Sequence, residues 1–235
     1  MQDFGGAFLT AFNLLIGFDA DLMEVIALSL RVSLTALLAA GVIGLSIGAL
    51  LAVTRFPGRG LALIVVNSMM GLPPVVVGLV IYMLLSNAGP LGFMGLLYSP
   101  SAMIIAQSVL ILPIIAALSR QVIEDLYNEY ADQFRSFCVP TGRMMAELLW
   151  DARYSLLTVL LAGLGRAMAE VGAVIIVGGN INHLTRVMTT TIALETSKGD
   201  LALALGLGMV LLTIALAINA AVMGLNATAK RYAYA

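Results

Sequence analysis

The sequence predicts an all-α membrane protein with about five transmembrane helices and an N-terminal interfacial helix. Three observations carry that reading. Of 235 residues, 61% are hydrophobic and only 11% are charged, where a soluble domain carries about a quarter charged residues. Long stretches hold no charge at all: Val32 to Thr54, Leu61 through Ser119, Val171 to Thr185 and Leu201 to Ala229. Lysine and arginine gather in alternate connections between these stretches, as a chain that crosses a bilayer repeatedly requires. Lipid cannot satisfy backbone N–H and C=O groups, and no alternating barrel strands occur, so the crossing elements are helices.

The elements follow in order. Residues 1–23 form an N-terminal segment in which Phe4, Phe8, Phe12 and Leu15 fall at helical spacing. The stretch from Phe4 to Phe18 is short for a crossing and suits a helix lying in the interface. A membrane domain over 24–229 then holds five spans, at 24–54, 60–86, 101–123, 154–178 and 200–226, and a tail follows at 230–235. The uncharged stretch 61–119 far exceeds one crossing, so it must be two, turned at Asn87-Ala88-Gly89-Pro90 and again at Ser99-Pro100. Pro73-Pro74, after Gly71, removes two backbone donors midway through the second span and must kink or break it. Pro113 makes a milder kink in the third. A break at membrane depth is tolerated where it is buried in protein or lines a cavity, so Pro73 and Pro74 are candidates for the edge of a pathway; a packing kink is the alternative.

Charge sets the orientation. With the N-terminus outside, the inner connections hold Arg55 and Arg59, then Arg120, Arg135, Arg143 and Arg153, then Lys230 and Arg231. Only Arg186 and Lys198 fall outside. Five spans then place the C-terminus in the cytoplasm, in the inner membrane of a cell. Asp3, Asp19, Asp21 and Glu24 precede the first base, Arg31, which is the wrong pattern for a secretory signal. The single cysteine, Cys138, lies in an inner connection, so no intrachain disulfide can form.

Several chemistries are excluded. One histidine, His183, cannot build a zinc-protease pair or a multi-histidine site, and a surface or hydrogen-bonding role is expected for it. No G-x-x-x-x-G-K-[ST] loop is present. Gly44-Leu45-Ser46-Ile47-Gly48 matches a nucleophile elbow in letters only, because it sits inside an uncharged helix without a histidine partner; Gly44 and Gly48 read as a packing face. Asn226-Ala227-Thr228 matches a glycosylation sequon by chance at an inner end. No catalytic residue, metal site or nucleic-acid contact is expected in this chain.

Arg31, Arg166 and Glu170 are the charges within spans, and should face the bundle interior or water. Arg166 and Glu170, four apart, are expected on one helix face, able to pair. That pair fixes helix packing, or it places an arginine beside an anion route. A proton relay would ordinarily use more than one intramembrane carboxylate. Two connections are long. The inner one, Gln121 to Asp151, mixes both charge signs with apolar residues, as short helices lying against another protein would. The outer one, Gly178 to Asp200, is rich in glycine, amides and hydroxyls and reads as a polar, turn-rich mouth presenting Asn180, Asn182 and Arg186, with Ser197 to Asp200 capping the last helix.

These residues resemble a known family. Ser29-Leu30-Arg31-Val32-Ser33-Leu34, Arg55-Phe56-Pro57-Gly58-Arg59 and Leu72-Pro73-Pro74-Val75-Val76-Val77-Gly78-Leu79 are similar to permease subunits of binding-protein-dependent (type I) ABC importers. Gly165-Arg166-Ala167-Met168-Ala169-Glu170-Val171-Gly172-Ala173, Gly178-Gly179-Asn180-Ile181 and Thr185-Arg186-Val187-Met188-Thr189-Thr190 resemble the oxyanion branch, tungstate permeases more than molybdate ones. The resemblance implies a homodimer that forms the path for tungstate, fed by an extracytoplasmic tungstate- or molybdate-binding protein. It implies a cytoplasmic ABC ATPase dimer that binds the ATP and magnesium and grips a coupling loop at about 121–153. Molybdate or another oxyanion is the alternative cargo, and a stand-alone secondary transporter is the alternative from another class. The family's E-A-A…G coupling motif is altered. Aligning Val139-Pro140-Thr141-Gly142-Arg143 with the family's L-G-A-x-R puts Phe134-Arg135-Ser136 at E-A-A and Pro140 at the glycine. Arg135, Pro140, Thr141, Gly142, Arg143 and Glu147 are therefore the candidates for ATPase contact.

Overall fold

The computed structural model describes residues 20–233, and the interfacial helix expected over 4–18 lies outside them. Every regular element among the described residues is helical. In chain order they are α1 (Ala20–Val53), α2 (Arg59–Met69), α3 (Pro74–Leu85), a 3-10 turn (Gly92–Met94), α4 (Pro100–Ser136), α5 (Thr141–Asp151), α6 (Arg153–Met168), α7 (Gly172–Gly178), α8 (Met188–Lys198) and α9 (Leu201–Ala233). Three helices are long and apolar enough to cross a membrane, over Asp21–Val53, Pro100–Ser136 and Leu203–Gly224, and bent helix pairs raise the number to as many as five. The expected five stands at the top of that range, although the second bent pair joins Thr141–Asp151 to Arg153–Met168 instead of covering 154–178.

Three boundaries differ from expectation. The third span does not stop near 123 but continues as α4 to Ser136, with the buried Pro113 inside it. The charges from Glu124 onward mark where an apolar stretch ends, and a helix need not end there. The connection 178–200, expected to be turn-rich, contains a regular helix, α8. The last helix runs to Ala233, past the start of the expected tail. The turns expected at Asn87–Pro90 and Ser99-Pro100 are present. The Ser99 hydroxyl accepts a long hydrogen bond from the Ala102 N–H (3.4 Å) at the start of α4, and Asp200 caps α9 through the Leu203 N–H (3.1 Å).

The chain divides into two compact units. One collects the described residues up to Thr35, Pro74–Gln107 and those from Met168 on; the other holds Ala36–Pro73 and Ser108–Ala167. The second is built on small residues. A Cβ on Gly44 would lie 3.0 Å from Ile115 Cγ2, and one on Gly48 would lie 2.0 Å from Ser119 Oγ. Helices α1 and α4 therefore approach nearly backbone to backbone, as Gly44 and Gly48 suggested. Ser46 simply donates to the Val42 carbonyl (2.7 Å), which disposes of the nucleophile pattern. Below this contact, Ala49, Ala52, Val53, Ile123, Leu148, Ala152 and Leu156 form a core that joins α1 and α4 to α5 and α6.

In the first unit the tight contact is between α3 and α7. A Cβ on Gly78 would lie 2.8 Å from Ala173 Cα, and one on Gly172 would lie 3.0 Å from Val75 Cγ2. The far end of α7 is equally close-packed, with Gly178 against Met103, Gly179 against the Tyr98 ring, and the Tyr98 N–H donating to Val177 O (2.9 Å).

Candidate functional site

Two of the spans expected from the sequence contain a break between helices. In the second, the helix stops at Met69, passes through Gly71 and restarts at Pro74. Each proline biases its predecessor away from helical geometry, while Pro74, as the first helical residue, needs no N–H. In the fourth, α6 ends at Met168 and α7 begins at Gly172, with no proline nearby. Here Glu170 makes the difference. It is 3% exposed, and its Oε1 accepts the Ala173 N–H (3.1 Å), one of the donors a helix start leaves open. Its backbone carbonyl accepts the Thr189 hydroxyl (2.9 Å), which ties the break to the first turn of α8.

Arg166 is half-buried in the last turn of α6, and Glu170 lies just beyond the end of that helix rather than on one unbroken helix with it. Arg31 is exposed on α1, Pro73 is exposed and Pro74 is half-buried.

The connection 178–200 turns its polar groups inward. Ile181 O accepts the N–H groups of Leu184, Thr185 and Arg186, at 3.0 to 3.3 Å. Thr185 Oγ1 donates to Gly178 O (2.5 Å) and accepts from Ile181 N (2.9 Å). Thr190 Oγ1 donates to Asn180 Oδ1 (2.8 Å) and accepts from Val187 N (3.1 Å). The Met188 N–H donates to Ser29 Oγ on α1 (2.8 Å). Thr185, Thr190 and Thr191 are buried, so most of the expected mouth is a hydrogen-bonded scaffold. Of its three candidates, Asn182 is exposed, Asn180 is half-buried and held by Thr190, and Arg186 is half-buried, with a buried Nε that has no hydrogen-bond partner.

His183, in the left-handed region at φ 55°, meets Glu24 at the start of α1, with Nδ1 to Oε2 2.8 Å. The Glu24 carboxylate, which accepts this hydrogen bond and adds its charge, raises the imidazole pKa; Asp21 adds to the rise and Arg186 opposes it. Asp21, Glu24 and His183 each bring one ligand atom within 4.8 Å of the others, all exposed, and the His183–Glu24 contact already satisfies two of them.

On α4, Glu124 is clamped between two arginines, an arrangement that composition did not reveal. Arg59 Nη2 lies 2.6 Å from Glu124 Oε1, and Arg120 pairs with Oε2. Arg59 also donates from Nε to Leu51 O (2.8 Å), so the 55–59 turn is fastened to both α1 and α4. Just past the end of α4 at Ser136, Cys138 adopts the left-handed region at φ 49°, with Val139 N donating to Phe134 O (3.0 Å). The position that favours glycine is therefore Cys138, two residues before Pro140, whose φ is −67°. Helix α5 stands at 77° to α6 and buries Leu148, with Met144, Met145 and Leu149 against the core. Its opposite face exposes Thr141, Gly142, Arg143, Ala146 and Glu147. Arg135, near the end of α4, is exposed and pairs with Asp132 (3.4 Å).

Apolar helices interrupted by breaks, and an amphipathic helix whose polar face is open, are features of membrane transport proteins. Comparison with known proteins gives the family. The chain is 38% identical over 226 residues to the tungstate uptake system permease protein TupB of Peptoclostridium acidaminophilum, covering 96% of this chain and 99% of that one. It is 37% identical over 204 residues to a probable anion ABC transporter permease protein of Haloferax volcanii, covering 85% and 88%. It is 39% identical over 156 residues to TupB of Campylobacter jejuni, covering 66% and 65%. No protein-family model matches the chain. The chain belongs to the ABC-transporter permeases, in the branch that contains the tungstate uptake permeases.

Proposed function

We propose that the chain forms the translocation path for tungstate in an ABC importer, as a homodimer supplied by an extracytoplasmic binding protein. A separate ATPase dimer binds ATP and magnesium and drives alternating access. The observation that carries this reading is the 38% identity to a tungstate uptake permease along almost the whole of both chains. The geometry supports it: α5 packs one face into the core and leaves Thr141, Gly142, Arg143 and Glu147 open for the ATPase, with Pro140 at its start and Arg135 close by. Arg31, Arg166 and the breaks at Pro73-Pro74 and Glu170 are assigned to the pathway, and Asn180, Asn182 and Arg186 to its outer mouth. Glu170 acts there as a positioning residue, holding the start of α7.

The test is reconstitution of the chain with its ATPase and binding protein in vesicles. ATP-dependent uptake of tungstate, outcompeting molybdate and sulfate, is expected. Uptake by the chain alone without ATP would make it a secondary transporter, and preferential uptake of molybdate would move it to the alternative cargo. Orientation is read in whole cells with a membrane-impermeant maleimide, since the sole cysteine, Cys138, is exposed. Labelling is expected only after the membrane is opened.

A further inference from the structure

A groove of about 400 Å³ runs along the second unit between α1 and the α5–α6 corner. Its walls are apolar, formed by Val42, Leu45, Leu149, Leu156, Leu157 and Leu160. Two polar residues reach it. Ser46 is spent on the Val42 carbonyl. The other is Arg153, at the corner where α5 turns 77° away from α6 and the chain leaves its apolar stretch. This guanidinium lies between two aromatic rings, 4.9 Å from the Trp150 centroid and 4.5 Å from that of Tyr154. One of its five N–H donors goes to Trp150 O (2.7 Å). Among the described residues no carboxylate lies within ion-pair distance of it, whereas Arg59, Arg120 and Arg135 each have one.

An arginine without a counter-ion, flanked by tryptophan and tyrosine at the head of an apolar groove, has the chemistry of a membrane interface. The rings sit at headgroup level, the groove takes hydrocarbon, and the spare donors suit a phosphate oxygen. We infer that this groove binds one anionic glycerophospholipid, its phosphate on Arg153 and an acyl chain along Leu156, Leu157 and Leu160. Charge complementarity selects this occupant: a zwitterionic lipid brings its own cation, and an apolar helix of a second copy would leave Arg153 unanswered.

The chain carries its own reporter, because Trp150 is its only tryptophan. The full chain is reconstituted into bilayers in which brominated phosphatidylglycerol or brominated phosphatidylcholine replaces the unlabelled lipid stepwise, and quenching of Trp150 is followed. Half-maximal quenching is expected at a mole fraction about fivefold lower for the anionic lipid, the preference one interfacial arginine confers. Arg153→Gln abolishes that preference while leaving ordinary quenching, and Arg143→Gln, which removes an equal charge on the neighbouring α5, preserves it. In the unaltered chain the preference also collapses as salt is raised. Equal quenching by both lipids, no quenching by either, a preference insensitive to salt, or equal losses in the two variants would overturn the inference.

Discussion

The second and fourth spans are both broken, by opposite means. Between Met69 and Pro74 the interruption is covalent: two prolines forbid continuous helical hydrogen bonding whatever surrounds them. Between Met168 and Gly172 nothing in the backbone forbids a helix, and the interruption rests on a buried carboxylate and close packing. Yet the two restarts end side by side, with Gly78 of α3 against Ala173 of α7. A covalent break tolerates changes in its surroundings; one held by contacts fails when a contact is removed.

The largest effect is expected where both depend on one contact. Gly78→Ala would place its Cβ 2.8 Å from Ala173 Cα, inside contact distance of backbone. Overpacking of this kind costs about 1–3 kcal/mol, and uptake should fall with it. Gly208→Ala, in α9 where a Cβ meets nothing within 4 Å, is the control and should leave unfolding in detergent unchanged or slightly delayed. Next comes Glu170→Ala, which removes the cap on α7 and should cost about 1–2 kcal/mol by denaturant titration. Glu170→Gln keeps an acceptor and should recover most of that loss; if both variants are neutral, the contact does not hold the break. Replacing Pro73 and Pro74 together by alanine tests the other break. Stability should change little, because the prolines forbid rather than hold, while tungstate uptake should drop at least about tenfold if an open helix end is needed there.

The smallest effect belongs to the surface pair. His183 is raised above its ordinary value of 6.5 by Glu24. A raised pKa in the folded state means that the contact's stabilisation is complete below about 6.5 and is lost as pH climbs through the raised value. Glu24→Gln should return the His183 midpoint, followed by NMR of the imidazole, towards 6.5; both groups are exposed, so global stability should scarcely change.

The same contrast explains what the sequence revealed. Spans, turns and the proline break follow from composition and local covalent chemistry, and all are read directly. Glu170 was visible as a charge within a span, but its role as a cap depends on where α6 ends, which no periodicity marks. The connection from Gly178 to Asp200 read as a polar mouth because it is rich in glycine, amides and hydroxyls. Only the fold shows that its hydroxyls are spent on Gly178, Asn180 and Val187, letting α8 form. Charges after Glu124 hid the continuation of α4 for a related reason: membrane boundary and helix boundary are separate events. Cys138 was legible only as a thiol, since its left-handed backbone is set by the turn it occupies.

The contact between α3 and α7 has a mechanical consequence. Most helix pairs meet through side chains that can change rotamer and absorb part of any displacement. Here, at Gly78, a glycine faces an alanine backbone, and little side-chain cushion lies between the two helices at that point. A push on one of these half-helices reaches the other almost undiminished, so two separate stretches of chain behave as one stiff lever whose rigidity is set by the lack of a single methyl group.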